Sequence, residues 1–316
     1  MEVLHQSEIP LHAHKLTTMK DEIFIIEHGN RIIVYNRNNF ADVKDIIELS
    51  GHTPLDIAVC NVSNCVYVLV SATDYAYSIF RITKNEWHQF GQFKSSPWIT
   101  DIHMRVYPCI SVSANGTVIV RSYPLMICAY KANGHFQQHV GLSTRSSPCI
   151  GCWCNPIQKS NGNFLLACDK VHGYKGANAI NETEAEEELD EIESTGSDDS
   201  ETTDSDDDYT TEFHVKELVE FDATGSVLQT CKSSPSIRRS FGLGGVQMGD
   251  SAGRFVIAGT DNRIRLFDAE FNRLQFTGPR LIGGKLHYSS ERNEVVSVES
   301  NGHNSSLLTI FRFKEE

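Results

Sequence analysis

One short segment recurs three times in this chain: KSSPWI at 94–99, RSSPCI at 145–150 and KSSPSI at 232–237. The first two copies start 51 residues apart and the last two 87. The longer gap contains an acidic run with polar flanks. Without it the spacing returns to about 50 residues, within the range of the roughly 40–50 residue units of β-propellers. A period of that size makes the chain an array of similar units.

The stretches between the copies read as short strands. In 251–278, RFVIAG is a β-rich run, TDN a turn, RIRLFD an alternating run, AEFN a second turn and RLQF a last strand. The glycine-rich GLGGVQMGD before it suits a strand packed close to its neighbours. This predicts four antiparallel strands, called a to d below. Similar sets follow along the chain: IFIIEHG, RIIVYNR and VKDIIELS; LDIAVCN, CVYVLVS, YSIFRIT and WHQFGQF; CISVSAN, TVIVRSY, MICAYK and FQQHVGL; CIGCWCN, FLLACDK, HVKELVEF and SVLQTC. The last set, KLHYSS, EVVSVES and LLTIFRF, lacks an outermost strand, and EVLH near the N-terminus is spare. Pairing the two closes a ring and leaves no open edge. The expected fold is therefore all-β: one six-bladed propeller over 1–316, with four-stranded antiparallel blades, closed by the N-terminal strand.

Composition refines this picture. The 316 residues are 40% hydrophobic, enough for a sizeable core, and the formal charge is −13. That charge is local. Residues 181–208 hold 15 Asp and Glu and no Lys or Arg, leaving 26 acids against 28 bases elsewhere. Such a run cannot bury enough apolar surface to order itself, so 173–211 is expected to be a disordered acidic loop inserted between strands b and c of unit four. Thr195, Thr203 and Ser205 each have an acid three residues on, the pattern that acid-directed kinases modify. The N-terminus has no secretory pattern and no run is long enough for a membrane helix. Nine cysteines without framework spacing read as reduced thiols of a cytoplasmic protein. The expected protein is a monomer with no membrane partner.

Segment 242–268, GLGGVQMGDSAGRFVIAGTDNRIRLFD, resembles an NHL repeat. It has the apolar strand, the glycine turn at Ser251-Ala252-Gly253, the Thr260-Asp261-Asn262 turn and the Arg263–Phe267 strand, while Gly259 stands where the family places an Asp. Segment 54–82 is a weaker copy. WD-repeat proteins share Gly51-His52, but no Trp-Asp pair ends any unit. The resemblance implies a propeller like the C-terminal domain of tripartite-motif ubiquitin ligases, which recognises protein or RNA. No zinc-ligand spacing for a RING or B-box is present, so ligase activity would be borrowed from a partner.

Each copy of the opening motif falls between strand d of one unit and strand a of the next. One reading is a repeated structural corner, in which proline leaves the sheet, serines bond the turn and isoleucine tucks under the next blade. The sharper reading adds a ligand. Lys94, Arg145 and Lys232, with Arg238, Arg239 and Arg280 in the same class of connection, form a cationic rim suited to phosphate or an acidic peptide. Trp98 and Tyr107 lie near the first copy. The acidic loop emerges at the same end and is placed to compete for that rim.

Other chemistry is weighed against ordinary structure. Cys149, Cys152 and Cys154 have no second pair at zinc spacing, and the pairs His12/His14 and His135/His139 do not cluster. A calcium-dependent propeller hydrolase would need axial carboxylates and amides, for which Asp56, Asn61, Asp101, Asn155 and Asp250 are the candidates. No nucleophile-elbow or P-loop motif appears. The expected function is thus non-enzymatic, without catalytic residues, cofactor or metal: recognition of a protein or peptide, with RNA binding through the rim and the calcium hydrolase as alternatives.

Overall fold

A computed structural model of the chain describes residues 2–27, 29–73, 76–83, 86–94, 108–113, 115–122, 126–141, 149–151, 156–159, 161–171, 214–231, 247–248, 255–258, 264–268, 273–276, 285–289, 291–301 and 305–313. Twenty-five strands and no helix occur among them. The first strand, β1 (Glu2–Ile9), is set aside until the sixth sheet. Sheet one runs β2 (Ala13–Met19), β3 (Glu22–Glu27), β4 (Arg31–Asn36) and β5 (Asn39–Glu48). Sheet two runs β6 (Thr53–Cys60), β7 (Cys65–Thr73), β8 (Ala76–Thr83) and β9 (Glu86–Lys94). Sheet three runs β10 (Cys109–Val112), β11 (Val118–Ser122), β12 (Met126–Tyr130) and β13 (Phe136–Gly141).

In sheet four the innermost position is split between β14 (Cys149–Gly151) and β15 (Ile157–Gln158). Both pair with β16 (Phe164–Val171), and β17 (His214–Phe221) and β18 (Val227–Cys231) follow. Sheet five runs β19 (Gln247–Met248), β20 (Phe255–Ala258), β21 (Ile264–Phe267) and β22 (Arg273–Phe276). Sheet six runs β23 (Lys285–Ser289), β24 (Glu294–Ser300) and β25 (Ser306–Arg312), and β1 completes it as the outermost strand. The closing register runs from Glu2 opposite Arg312 to Ile9 opposite Ser306. First strands of successive sheets lie side by side: β23 with β2, β2 with β6, β6 with β10, β10 with β15, and β19 with β23. This is a propeller of antiparallel sheets with β1 as its clasp.

The apolar patterns follow from that architecture. A propeller sheet is covered on both faces, so its middle strands read as continuous apolar runs rather than as alternation. In β3, Ile23 and Ile25 pack toward sheet six with Val296, Val298, Leu308 and Ile310. Their neighbours Phe24 and Ile26 pack toward sheet two with Ile57, Val66 and Val68. Strand β7 divides its side chains in the same way. Val66, Val68 and Val70 meet sheet one, while Cys65, Tyr67 and Leu69 meet Ile110, Val118 and Tyr130 of sheet three. Successive strand residues point to opposite faces, so each buried run of this kind staples two interfaces.

The molecule has two ends. Connections from a to b and from c to d emerge at one end, the turn end. Those from b to c and from d to the next a emerge at the other, the connection end. At the turn end, four connections, after Ser113, Lys131, Lys159 and Asp222, close with the same backbone hydrogen-bond pattern. Gly116, Gly134, Gly162 and Gly225 have positive φ and donate to the Ser113, Lys131, Lys159 and Asp222 carbonyls in turn. Gly134 is the most constrained, since a Cβ there would sit 2.9 Å from the Phe90 carbonyl oxygen.

The turn end also locks the ring. Glu294, fully buried, is ion-paired to the buried Arg37 of sheet one and accepts from Arg312 Nη2 at 2.7 Å. Arg292 bonds Asp21 at 2.9 Å across the same seam, and Asn61 reaches Glu291 at 2.9 Å. At the outer edge of the seam, His5 of β1 meets Phe40 of β5 edge to face.

Candidate functional site

Of the rim residues singled out in the sequence, Lys94 is the one the structure describes. Lys94 is the last residue of β9, opposite Ala76. Arg145, Lys232, Arg238, Arg239 and Arg280 lie outside the described residues, as do Trp98, Tyr107, Thr195, Thr203 and Ser205. The flanking strands give their order along the chain: Arg145 follows β13, the three residues from Lys232 to Arg239 follow β18, and Arg280 follows β22. The acidic insertion joins β16 to β17, where Val171 is opposite His214. Its own residues, and the cysteines Cys152 and Cys154, are also outside the described set.

Inside the ring at the connection end, first strands of different sheets bring charges together. Lys15 of β2 lies 3.6 Å from the Asp56 carboxylate of β6. Asp56 is 3% exposed, and its other oxygen accepts from the Ile110 amide of β10 at 2.9 Å. One carboxylate thereby ties three consecutive sheets. Local backbone places both partners. The ladder register slips between Ala13 and Lys15 in β2 and between Pro54 and Asp56 in β6, where proline has no amide to donate. Irregularities of this kind re-aim the side chains beside them.

Lys285 opens β23 close by. Burial holds its ammonium below the usual lysine range, and Lys15 adds to that depression while Asp56 opposes it. Lys285 forms no ion pair among the described residues, so two lysines face one carboxylate that is already engaged. Deeper in β23, His287 contacts the Thr17 hydroxyl at 3.3 Å, and burial pushes its imidazole down to about 4, leaving it neutral at pH 7. On the Asp56 side, Arg121 Nε donates to the Cys109 sulfur at 3.2 Å, and burial raises that thiol.

This arrangement corrects the reading of two axial candidates. Asp56 is a buried inter-sheet tie rather than an open ligand, and Asn61 sits in the turn after β6, bonded to Glu291 at the opposite end. Asp101, Asn155 and Asp250 lie outside the described residues. No group of three His, Cys, Asp or Glu side chains among the described residues is placed to hold a metal. Lys15, Lys285 and His287 are the site residues that sequence reasoning missed. Their only sequence signal is a charged residue near the start of an innermost strand.

Fold and geometry define the class: a β-propeller with a charged mouth at its connection end. No protein-family model matches the chain, and no curated protein matches it. Among solved structures it is similar to a protein of unknown function from Bacteroides caccae, with a TM-score of 0.51 at 12% identity, over 87% of this chain and 81% of that one. At such identity the likeness shows the fold alone.

Proposed function

We propose that this chain is a non-catalytic binding scaffold of the NHL-propeller kind, and that its connection end receives an acidic segment of a protein partner. The observation that carries the reading is Lys285, half-buried near Lys15 and without an ion pair among the described residues. Two cations against one engaged carboxylate leave a positive mouth that an entering carboxylate or phosphate would complete. By their place in the chain the rim residues Lys94, Arg145, Lys232, Arg238, Arg239 and Arg280 are read as belonging to connections of that end, where they would extend the field. In this reading the acidic insertion, tethered between β16 and β17, competes with the ligand at high effective concentration. Phosphorylation at Thr195, Thr203 or Ser205 would strengthen the competition by adding charge. A cytoplasmic substrate receptor for a ubiquitin ligase, with the ligase supplied by a partner, is the setting the NHL resemblance suggests.

The test is fluorescence anisotropy of a labelled glutamate-rich peptide and of a labelled single-stranded RNA pool. Each is titrated with the intact chain and with residues 181–208 deleted, across a salt series. The proposal expects peptide binding that tightens on deletion at low salt. RNA bound more tightly than peptide, with a steep salt slope, would move the assignment to nucleic acid. Absence of peptide binding by both forms would refute the acidic-ligand reading.

A further inference from the structure

At the turn end, sheet two holds a pair of thiols that the proposed function does not use. Cys60 ends β6 and Cys65 begins β7, directly opposite each other in the ladder. Opposed residues of an antiparallel pair have Cα atoms about 4.5–5.5 Å apart, inside the range a disulfide spans. The pairing therefore puts the two thiols at a separation a disulfide can bridge. Both are free and buried, directly beneath the turn 61–64, of which Asn61, Val62 and Asn64 are exposed. The turn itself engages both sulfurs: the Ser63 amide donates to Cys60 at 3.5 Å, and the Ser63 hydroxyl lies 3.1 Å from Cys65.

Two further groups single out Cys65. The Tyr67 hydroxyl and Arg81 Nε are buried and have no hydrogen-bond partner among the described residues. Tyr67 follows Cys65 on the same face of β7, and Arg81 is opposite Tyr67 on β8. Buried donors without acceptors are unfavourable unless a charge forms beside them. A thiolate on Cys65 would supply that charge. Accordingly, its neighbours Cys60, Ser63, Arg81 and Tyr67 together hold the Cys65 thiol below the ordinary range, against burial. Cys60 is pushed up. Cys128 provides the contrast: it is buried in the same interface, has no such donors, and is raised by burial alone.

We infer that Cys60 and Cys65 form a redox-active dithiol that reacts with hydroperoxides, with Cys65 as nucleophile and Cys60 as resolving thiol. The Cys65 thiolate attacks the terminal peroxide oxygen. An S–O bond forms, the O–O bond breaks and the alkoxide leaves, taking up a proton as the alcohol. Sulfur is oxidised by two electrons to the sulfenic acid. Cys60 then attacks that sulfur. An S–S bond forms, the S–O bond breaks, and hydroxide leaves with the Cys60 proton as water. Access requires opening of the 61–64 turn, and tertiary structure in sheet two then depends on which state the pair holds.

The experiment treats the reduced full-length chain with hydrogen peroxide, folded and in urea, then alkylates and digests with trypsin. Cleavage after Lys44 and Arg81 yields one peptide, 45–81, whose only cysteines are this pair. The expected result is an internal disulfide formed faster in the folded chain than in urea. Cys60→Ser should accumulate a dimedone-reactive sulfenic acid at Cys65, whereas Cys65→Ser should leave Cys60 reduced. Tyr67→Phe, a variant that keeps the core volume, should slow disulfide formation roughly tenfold by weakening the thiolate. Oxidation of the pair only in urea, or an unchanged rate in folded Tyr67→Phe, would overturn the inference and leave two inert core thiols.

Discussion

The two ends of this propeller put their charges to different use. At the turn end each of these seam charges has an ion-pair partner: Glu294 holds both Arg37 and Arg312, and Arg292 pairs with Asp21. At the connection end Lys15 pairs with Asp56, while Lys285 has no ion pair among the described residues. Matched charges at a seam hold sheets one and six in register where no covalent link joins β25 to β1. An unmatched charge in a mouth is unfavourable for the empty protein and useful to a ligand. The difference teaches where stability and where recognition are expected to respond to mutation.

The largest effect is expected at the seam. Glu294→Ala leaves Arg37 buried without a partner, and should lower the unfolding free energy by about 3–5 kcal/mol in urea titrations. Arg312→Ala, whose side chain is 53% exposed, should cost less than about 1 kcal/mol. Equal effects from the two would break the claim that burial at the seam is what matters.

Acid should act through His287. Its folded value of about 4 lies below the ordinary 6.5, so the unfolded chain takes up the proton first as pH falls. The stability is fully present above pH 6.5 and is lost between there and 4, by roughly 3 kcal/mol. His287→Gln should flatten that limb of the stability curve.

At the mouth the effects are smaller and differ in sign. Asp56→Asn keeps an acceptor for the Ile110 amide but unpairs Lys15, and should destabilise by about 2 kcal/mol. Lys285→Met removes a half-buried cation that has no ion pair among the described residues, and should stabilise by about 1 kcal/mol. A destabilising Lys285→Met would show that this lysine is structural and would erase the contrast between the ends.

Much of the architecture was legible in the residues. The missing outer strand of the last unit and the spare N-terminal run together pointed to the closure that β1 makes with β25. Strand β2 was less legible. Its sequence, AHKLTTM, is polar because an innermost strand turns part of its side chains to the axis, so it lacks the continuous apolar run of β3. The charged mouth was not legible at all. Lys15 and Lys285 are 270 residues apart, and only ring closure brings β2 beside β23. The Cys60–Cys65 pair could have been found, since two cysteines flanking a four-residue turn between apolar runs are opposed in a hairpin.

The most direct test of the contrast removes one positive charge from each end. Lys285→Met and Arg292→Gln change the net charge equally, one at the mouth and one at the seam. Binding of a labelled glutamate-rich peptide at low salt is then compared between them. The account predicts that Lys285→Met weakens binding about fivefold, or ~1 kcal/mol, while Arg292→Gln leaves it unchanged. Equal weakening by both would mean that the peptide senses only net charge, and that neither end of the propeller is a recognition face.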